Sequence, residues 1–275
     1  MIPKMSVMTM VLGGALKEGR LTELGMLREL EEMGFDGVEL SSSWLLEERE
    51  RVDTYAAFLA GSRLEATCID GGCNFVIRER AGREAEIDDL KSAIELAARL
   101  EAPIVLAAGS RLSGGITPED GRTMIIEGLL ECAPFARDAG ITLAIENFGI
   151  APTLQCAADH CLEVLDAVPG LAFVFDSGNF YFCGEDALED LDRLEGYTRY
   201  VHLKDWVKSD APTIADVEGA ALGTGIIPNE RIVRRVVEAG RVATLSLEVG
   251  APGDILEAVR RDLATARGWL AELAR

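Results

Sequence analysis

Four residues of this chain share the types and spacing needed for metal or proton chemistry: Glu146, Asp176, His202 and Glu248. Each closes, or nearly closes, a short apolar run: TLAIE, AFVFD, YVHLK and TLSLE. Three carboxylates and one imidazole brought to one point would repel one another without a cation. A divalent ion removes that cost and accepts oxygen and imidazole ligands together. The oxygen-rich set suits Mn²⁺ first, with Mg²⁺ and Co²⁺ close behind; Zn²⁺ is compatible, although three or four histidines would suit it better. Taken singly, an acid at a strand end is usually a cap or an ion-pair partner. It is the shared phase of all four that points to a site.

That phase depends on the elements around them. An amphipathic helical pattern, a stop at glycine or proline and a short apolar run recur along the chain, as in LTELGMLRELEEMG then FDGVEL, and ERIVRRVVEAG then VATLSLEVG. Glycine supplies the left-handed end of a helix, and the β-rich run follows directly. The pattern predicts strands at 6–11, 37–40, 64–70, 104–109, 142–148, 171–176, 200–205 and 243–249. Helical patterns alternate with them, so the fold class is α/β. One domain over 1–275 closes naturally as a (β/α)8 TIM barrel, since the chain has neither GxGxxG opening a helix nor GxxxxGK[ST].

Alternate residues of a strand face opposite sides. Leu143 and Ile145, Phe173 and Phe175, Val201 and Leu203, and Leu245 and Leu247 form bulky apolar faces suited to a cover of helices. The opposite faces are smaller or polar and carry the four candidates toward the C-terminal mouth, where barrel active sites are built. Lys204 shares the parity of His202 and is placed to donate to a substrate oxygen. Glu39, in GVEL, faces substrate or supports a ligand. Asp205 lies on the other face and suits an orienting role toward His202. Trp44, Phe148, Phe180, Tyr181 and Trp206 follow strand ends, where they either wall a sugar pocket or pack loops. The glycines of LGTGIIP belong to a long excursion after strand seven that lids the site or simply turns the chain.

A net charge of −20 over 275 residues argues against nucleic acid or an anionic membrane as partner, because both need a cationic face. A small-molecule substrate and a cation remain, and homo-oligomerisation is compatible. No run of 18 apolar residues occurs, and the first residues do not read as a signal peptide. The six cysteines are scattered without a CxxC pair, as expected of reduced thiols in a cytoplasmic protein. Cys156, His160 and Cys161 have metal-like spacing, but they read better as one amphipathic helix with apolar cysteines and a solvated histidine.

The runs AIENF, VFDSGNF, YVHLKDW, ALGTGIIP and LSLEVG, in that order over essentially the whole chain, resemble the sugar phosphate isomerase/epimerase family of xylose isomerase-like TIM barrels. Relatives include ketose 3-epimerases, hydroxypyruvate isomerase, inosose dehydratase and endonuclease IV. The resemblance implies Glu146, Asp176, His202 and Glu248 as ligands of one divalent metal ion, with Glu146 and Glu248 as the acid/base pair. It also implies that Asn179 stands where the epimerases place a substrate-contacting histidine, and Lys208 where they place a substrate-holding arginine. Asparagine cannot titrate near neutrality, and lysine lacks the bidentate fork. The scarcity of histidine and the acidic charge speak against an endonuclease.

The expected activity is isomerisation or epimerisation of a sugar or keto-polyol through a cis-enediolate, one glutamate taking the proton and the other returning it. Loss of a β-substituent from the same intermediate would make the protein a lyase or dehydratase on a keto-sugar or inosose. A non-catalytic sugar-binding barrel is the third reading, and the presence of both glutamates speaks against it. Schiff-base chemistry at Lys204 would leave the four-residue set without a role.

Overall fold

In the computed structural model, residues 2–210, 216–248, 250 and 252–275 are described. Eight parallel strands close into a barrel: β1 (Lys4–Met8), β2 (Gly37–Ser41), β3 (Glu65–Asp70), β4 (Ile104–Leu106), β5 (Thr142–Glu146), β6 (Ala172–Asp176), β7 (Thr198–Leu203) and β10 (Thr244–Leu247). They pair in chain order, and β1 closes the ring against β10. Two short strands stand outside it. β8 (Trp206–Lys208) and β9 (Val217–Gly219) form an antiparallel pair within the excursion after β7 that the sequence leaves unassigned.

The helix-to-strand signals work as read. Thr22 caps helix Glu23–Met33 by accepting from the Gly25 amide, and Gly34 ends it at φ 92°, a conformation that costs a glycine little. Asp186 and Asp254 cap helices Ala187–Leu194 and Ile255–Leu273 in the same way as Thr22. The expected amphipathic helix around Cys156 divides into Pro152–Gln155 and Ala158–Ala167. Cys156 and Cys161 are buried as apolar residues, whereas His160 is half-buried rather than freely solvated.

Strand parity sorts the core into two clusters. Leu143, Ile145, Phe173, Phe175, Val201, Leu203, Leu245 and Leu247 pack between barrel and helices. Cys68, Ile104, Leu106, Ala144, Ala172, Val174 and Tyr200 fill the barrel interior. The strands stop earlier at the mouth than the apolar runs suggest: β1 ends at Met8, β4 at Leu106, β5 at Glu146 and β10 at Leu247. Beyond those points the backbone leaves the ladder and bonds to loops, as when Phe148 donates to the Gln155 carbonyl. Among the described residues, no helix is long and apolar enough to cross a membrane.

Candidate active site

β5, β6 and β7 deliver Glu146, Asp176 and His202 to the mouth, and one ligand atom from each lies within 4.8 Å of the others. All three side chains are buried. The Asp176 amide and carbonyl are bracketed by the Asn147 side chain, which accepts and donates at 2.9 Å each. Asp176 Oδ1 accepts from the amides of Gly178 and Asn179 at 2.9 and 3.0 Å, which leaves Oδ2 aimed into the site. Complete burial, with Glu248 and Glu146 nearby, pushes Asp176 up to about 7 against the pull of Lys204.

His202 is held from behind. Its Nε2 faces both oxygens of Glu39, at 3.0 and 3.2 Å, and neither side chain reaches solvent. The opposite nitrogen, Nδ1, is 3.4 Å from Glu146 Oε2 and 3.9 Å from Glu248 Oε2, and makes no well-formed hydrogen bond. Burial opposes a charge on the ring, but Glu39 and then Glu146 outweigh it and hold the imidazole well above its ordinary range.

Glu248 sits higher than the other three. Barrel stagger pairs Ser246 with His202, so Glu248 comes level with Lys204 two residues further along. Its Oε2 lies 2.7 Å from Lys204 Nζ, which also lies 2.7 Å from Asp176 Oδ2. Desolvation works against the Glu248 carboxylate, yet Lys204 and then His202 hold it below the usual carboxylate range.

The remaining sequence candidates lie around this cluster. Glu39 lies beneath His202, 1% exposed, and not on the open substrate side. Asp205 does not touch His202. It accepts from the amides of Trp206, Gly223, Gly225 and Ile227 at 2.9–3.1 Å, tying down the excursion after β7. The reason is parity: Asp205 leaves the strand on the face away from the axis, whereas Glu39 points along it. Asn179 is buried with both ends of its side chain engaged, by the Asn147 carbonyl at 2.8 Å and by Lys204 Nζ at 3.4 Å. Lys208, on β8, is exposed and joined to the Tyr181 hydroxyl.

Of the aromatic residues, Trp206 stays beside the site, its indole donating to the Gly178 carbonyl at 2.9 Å. Phe180 is core, packed on Phe175 with ring centroids 5.2 Å apart. Trp44 lies under Arg51 and lines a separate cavity of about 370 Å³ with Met10, Leu16 and Tyr55. Asp70 is a site carboxyl that strand counting misses. Desolvation, then Glu39 and Glu146, push it up to about 7. The signal was an acid closing the run EATCID, hidden by a bulge that skips Thr67 when β2 pairs with β3.

A family model described as a xylose isomerase-like TIM barrel matches residues 27–273. The chain belongs to that family. The inosose isomerase of Halalkalibacterium halodurans, over 82% of each chain, is 21% identical to this xylose isomerase-like barrel. The IOLI protein, solved with a zinc atom, superposes with a TM-score of 0.80 at 20% identity over 98% of each chain. The probable 3-DHS dehydratase AsbF of Bacillus anthracis superposes at 0.76 with 17% identity, over 96% of this chain and 98% of that one.

Proposed function

We propose that this xylose isomerase-like barrel is a divalent-metal-dependent isomerase or epimerase of a small sugar or keto-polyol. The observation that carries the reading is the pair of carboxylates beside one point: Glu146 and Glu248 stand 3.4 and 3.9 Å from the same nitrogen of His202. The residues fit a metal ion. His202 Nδ1 is a buried polar atom without a hydrogen bond, and Asp176 Oδ2 is met by the Lys204 ammonium at 2.7 Å, so a cation already suits that oxygen; both atoms belong to residues of the 4.8 Å cluster. Glu146, Asp176 and His202 would hold the ion, with Glu248 completing the set. When bound, a divalent ion such as Mn²⁺ supplies Lewis-acid stabilisation of negative charge that develops on substrate oxygens.

The protein's own groups then account for proton movement. Glu248, held ionised here by the cation beside it, suits a base that takes a proton from the carbon next to a carbonyl. Glu146 suits the group that returns one to the other face of the planar enediolate. Glu39 keeps the His202 ring oriented with Nδ1 toward both acids. Return of the proton to the same carbon epimerises, and return to its neighbour isomerises.

A dehydratase outcome in the same site has one observation behind it. Asp70, which closes β3 and is pushed up by burial, Glu39 and Glu146, adds a further carboxyl that would protonate a departing hydroxyl. The two dehydration and isomerisation outcomes also correspond to the names of the AsbF and inosose isomerase relatives. Metal analysis of the purified protein, followed by a panel of ketoses and keto-inositols in D₂O with that metal, tests the reading. Deuterium incorporated with every hydroxyl retained is the expected result, loss of water assigns the dehydratase, and no exchange or turnover on the panel overturns both.

A further inference from the structure

The carboxylate cage has a cation of its own. Lys204 Nζ lies 2.7 Å from Asp176 Oδ2 and 2.7 Å from Glu248 Oε2, with Asn179 Oδ1 at 3.4 Å. Asp176 and Glu248 are two of the four residues assigned above to a metal ion. The lysine's backbone is fixed and its side chain is buried. It is 8% exposed, its amide donates to Ser177 Oγ at 3.2 Å, and its carbonyl accepts from Asn229 Nδ2 at 2.9 Å. Its stem crosses Gly178 so closely that a Cβ there would stand 2.4 Å from Lys204 Cγ. The fold therefore clears a path that leads this ammonium between the two acids.

A single oxygen of Asp176 faces the cage, because the other is taken by two backbone amides. An ammonium 2.7 Å from that oxygen occupies the direction from which a metal ion would approach it. Two cations on the same pair of carboxylates, in a site shielded from water, repel strongly. We propose that Lys204 is an internal counter-ion exchanged for the divalent ion: its ammonium balances Asp176 and Glu248 in the metal-free protein, and metal binding turns it out of the cage. This rests on the reading that the cage takes a divalent ion. It makes Lys204 a positioning residue that stabilises the metal-free fold and lowers metal affinity.

The test is calorimetric titration of metal-stripped wild type, Lys204→Met and Asp176→Asn with MnCl₂, with melting curves before and after. Lys204→Met is expected to bind Mn²⁺ about tenfold tighter or more, to melt lower without metal, and to gain more from Mn²⁺ than wild type. Equal or weaker binding by Lys204→Met overturns the exchange and leaves the metal site standing. Absence of wild-type Mn²⁺ binding that Asp176→Asn removes overturns the metal site and the exchange with it. Should Lys204→Met fail to fold, trace acetylation of the wild type decides. Lys204 is expected to acetylate faster in saturating Mg²⁺, by peptide mass spectrometry, and an unchanged or slower rate overturns the exchange.

Discussion

Glu39 Oε2 lies 3.0 Å from His202 Nε2, with both side chains fully buried. The two residues are 163 positions apart in the chain and meet across the barrel axis. A carboxylate behind an imidazole fixes which ring nitrogen faces forward and raises its basicity. Glu39→Gln is expected to weaken Mn²⁺ binding about 10–100-fold, and Glu39→Ala at least as much. Calorimetric titration measures it, and an unchanged dissociation constant in both variants would take this role from Glu39.

The two-base mechanism predicts separable losses at Glu146 and Glu248. Each change to glutamine is expected to lower turnover about 10²–10⁴-fold. Solvent-deuterium exchange started from each epimer in turn should be lost first on the face whose base is missing. Wild-type turnover in Glu248→Gln would sink the mechanism.

Asp205 carries a structural prediction. Its one carboxylate accepts four backbone amides, from Trp206, Gly223, Gly225 and Ile227, while 2% exposed. Asparagine there turns an NH₂ toward two of those donors. Asp205→Asn is expected to cost about 2–4 kcal/mol of stability, read from the urea midpoint. A midpoint within error of wild type would show that the excursion after β7 does not need the carboxylate.

A fourth prediction concerns pH. Burial, with the Glu185 charge nearby, pushes Asp190 up to about 7 even though Arg193 is 3.2 Å away. In the unfolded chain the same group titrates near 4. Below about pH 4 both states are protonated and Asp190 adds no penalty. As pH rises from about 4 to 7 the unfolded state ionises first, so unfolding releases a proton and this contribution to stability is lost. Above about 7 the loss is complete. Thermal melts of wild type and Asp190→Asn across pH 4.5–8 should therefore diverge, the variant falling less. Parallel curves would contradict the assignment.

Much of the architecture was legible from local pattern. Helical runs ending at glycine, as at Gly34, and the bulky phase of Phe173 and Phe175 against Ala172 and Val174 mark the barrel and its two faces. The residues Glu146, Asp176, His202 and Lys204 were placed on the inner face by counting in twos. Counting failed at β3, where the bulge turns both Thr67 and Cys68 inward and so brings Asp70 to the mouth. It also had no means of separating Glu39 from Asp205 as the neighbour of His202, because each is an acid at the end of a different run. Asn147, which brackets Asp176, lies in the run AIENF and carried no separate signal.

Side-chain period along a strand is a local property set by the pleat, so composition and alternation suffice to state which residues face the axis. The height of each residue along that axis is not local. It depends on how eight strands shear as they close, and only that closure puts Glu248 level with Lys204 instead of His202. The same stagger sets Asp176 beside His202 and Glu146 beside Val174. Residue types and phase thus put Glu146, Asp176, His202 and Lys204 on the inner face. Barrel closure decided which acid supports the histidine, which acids share the lysine, and which three groups stand close enough to hold one ion.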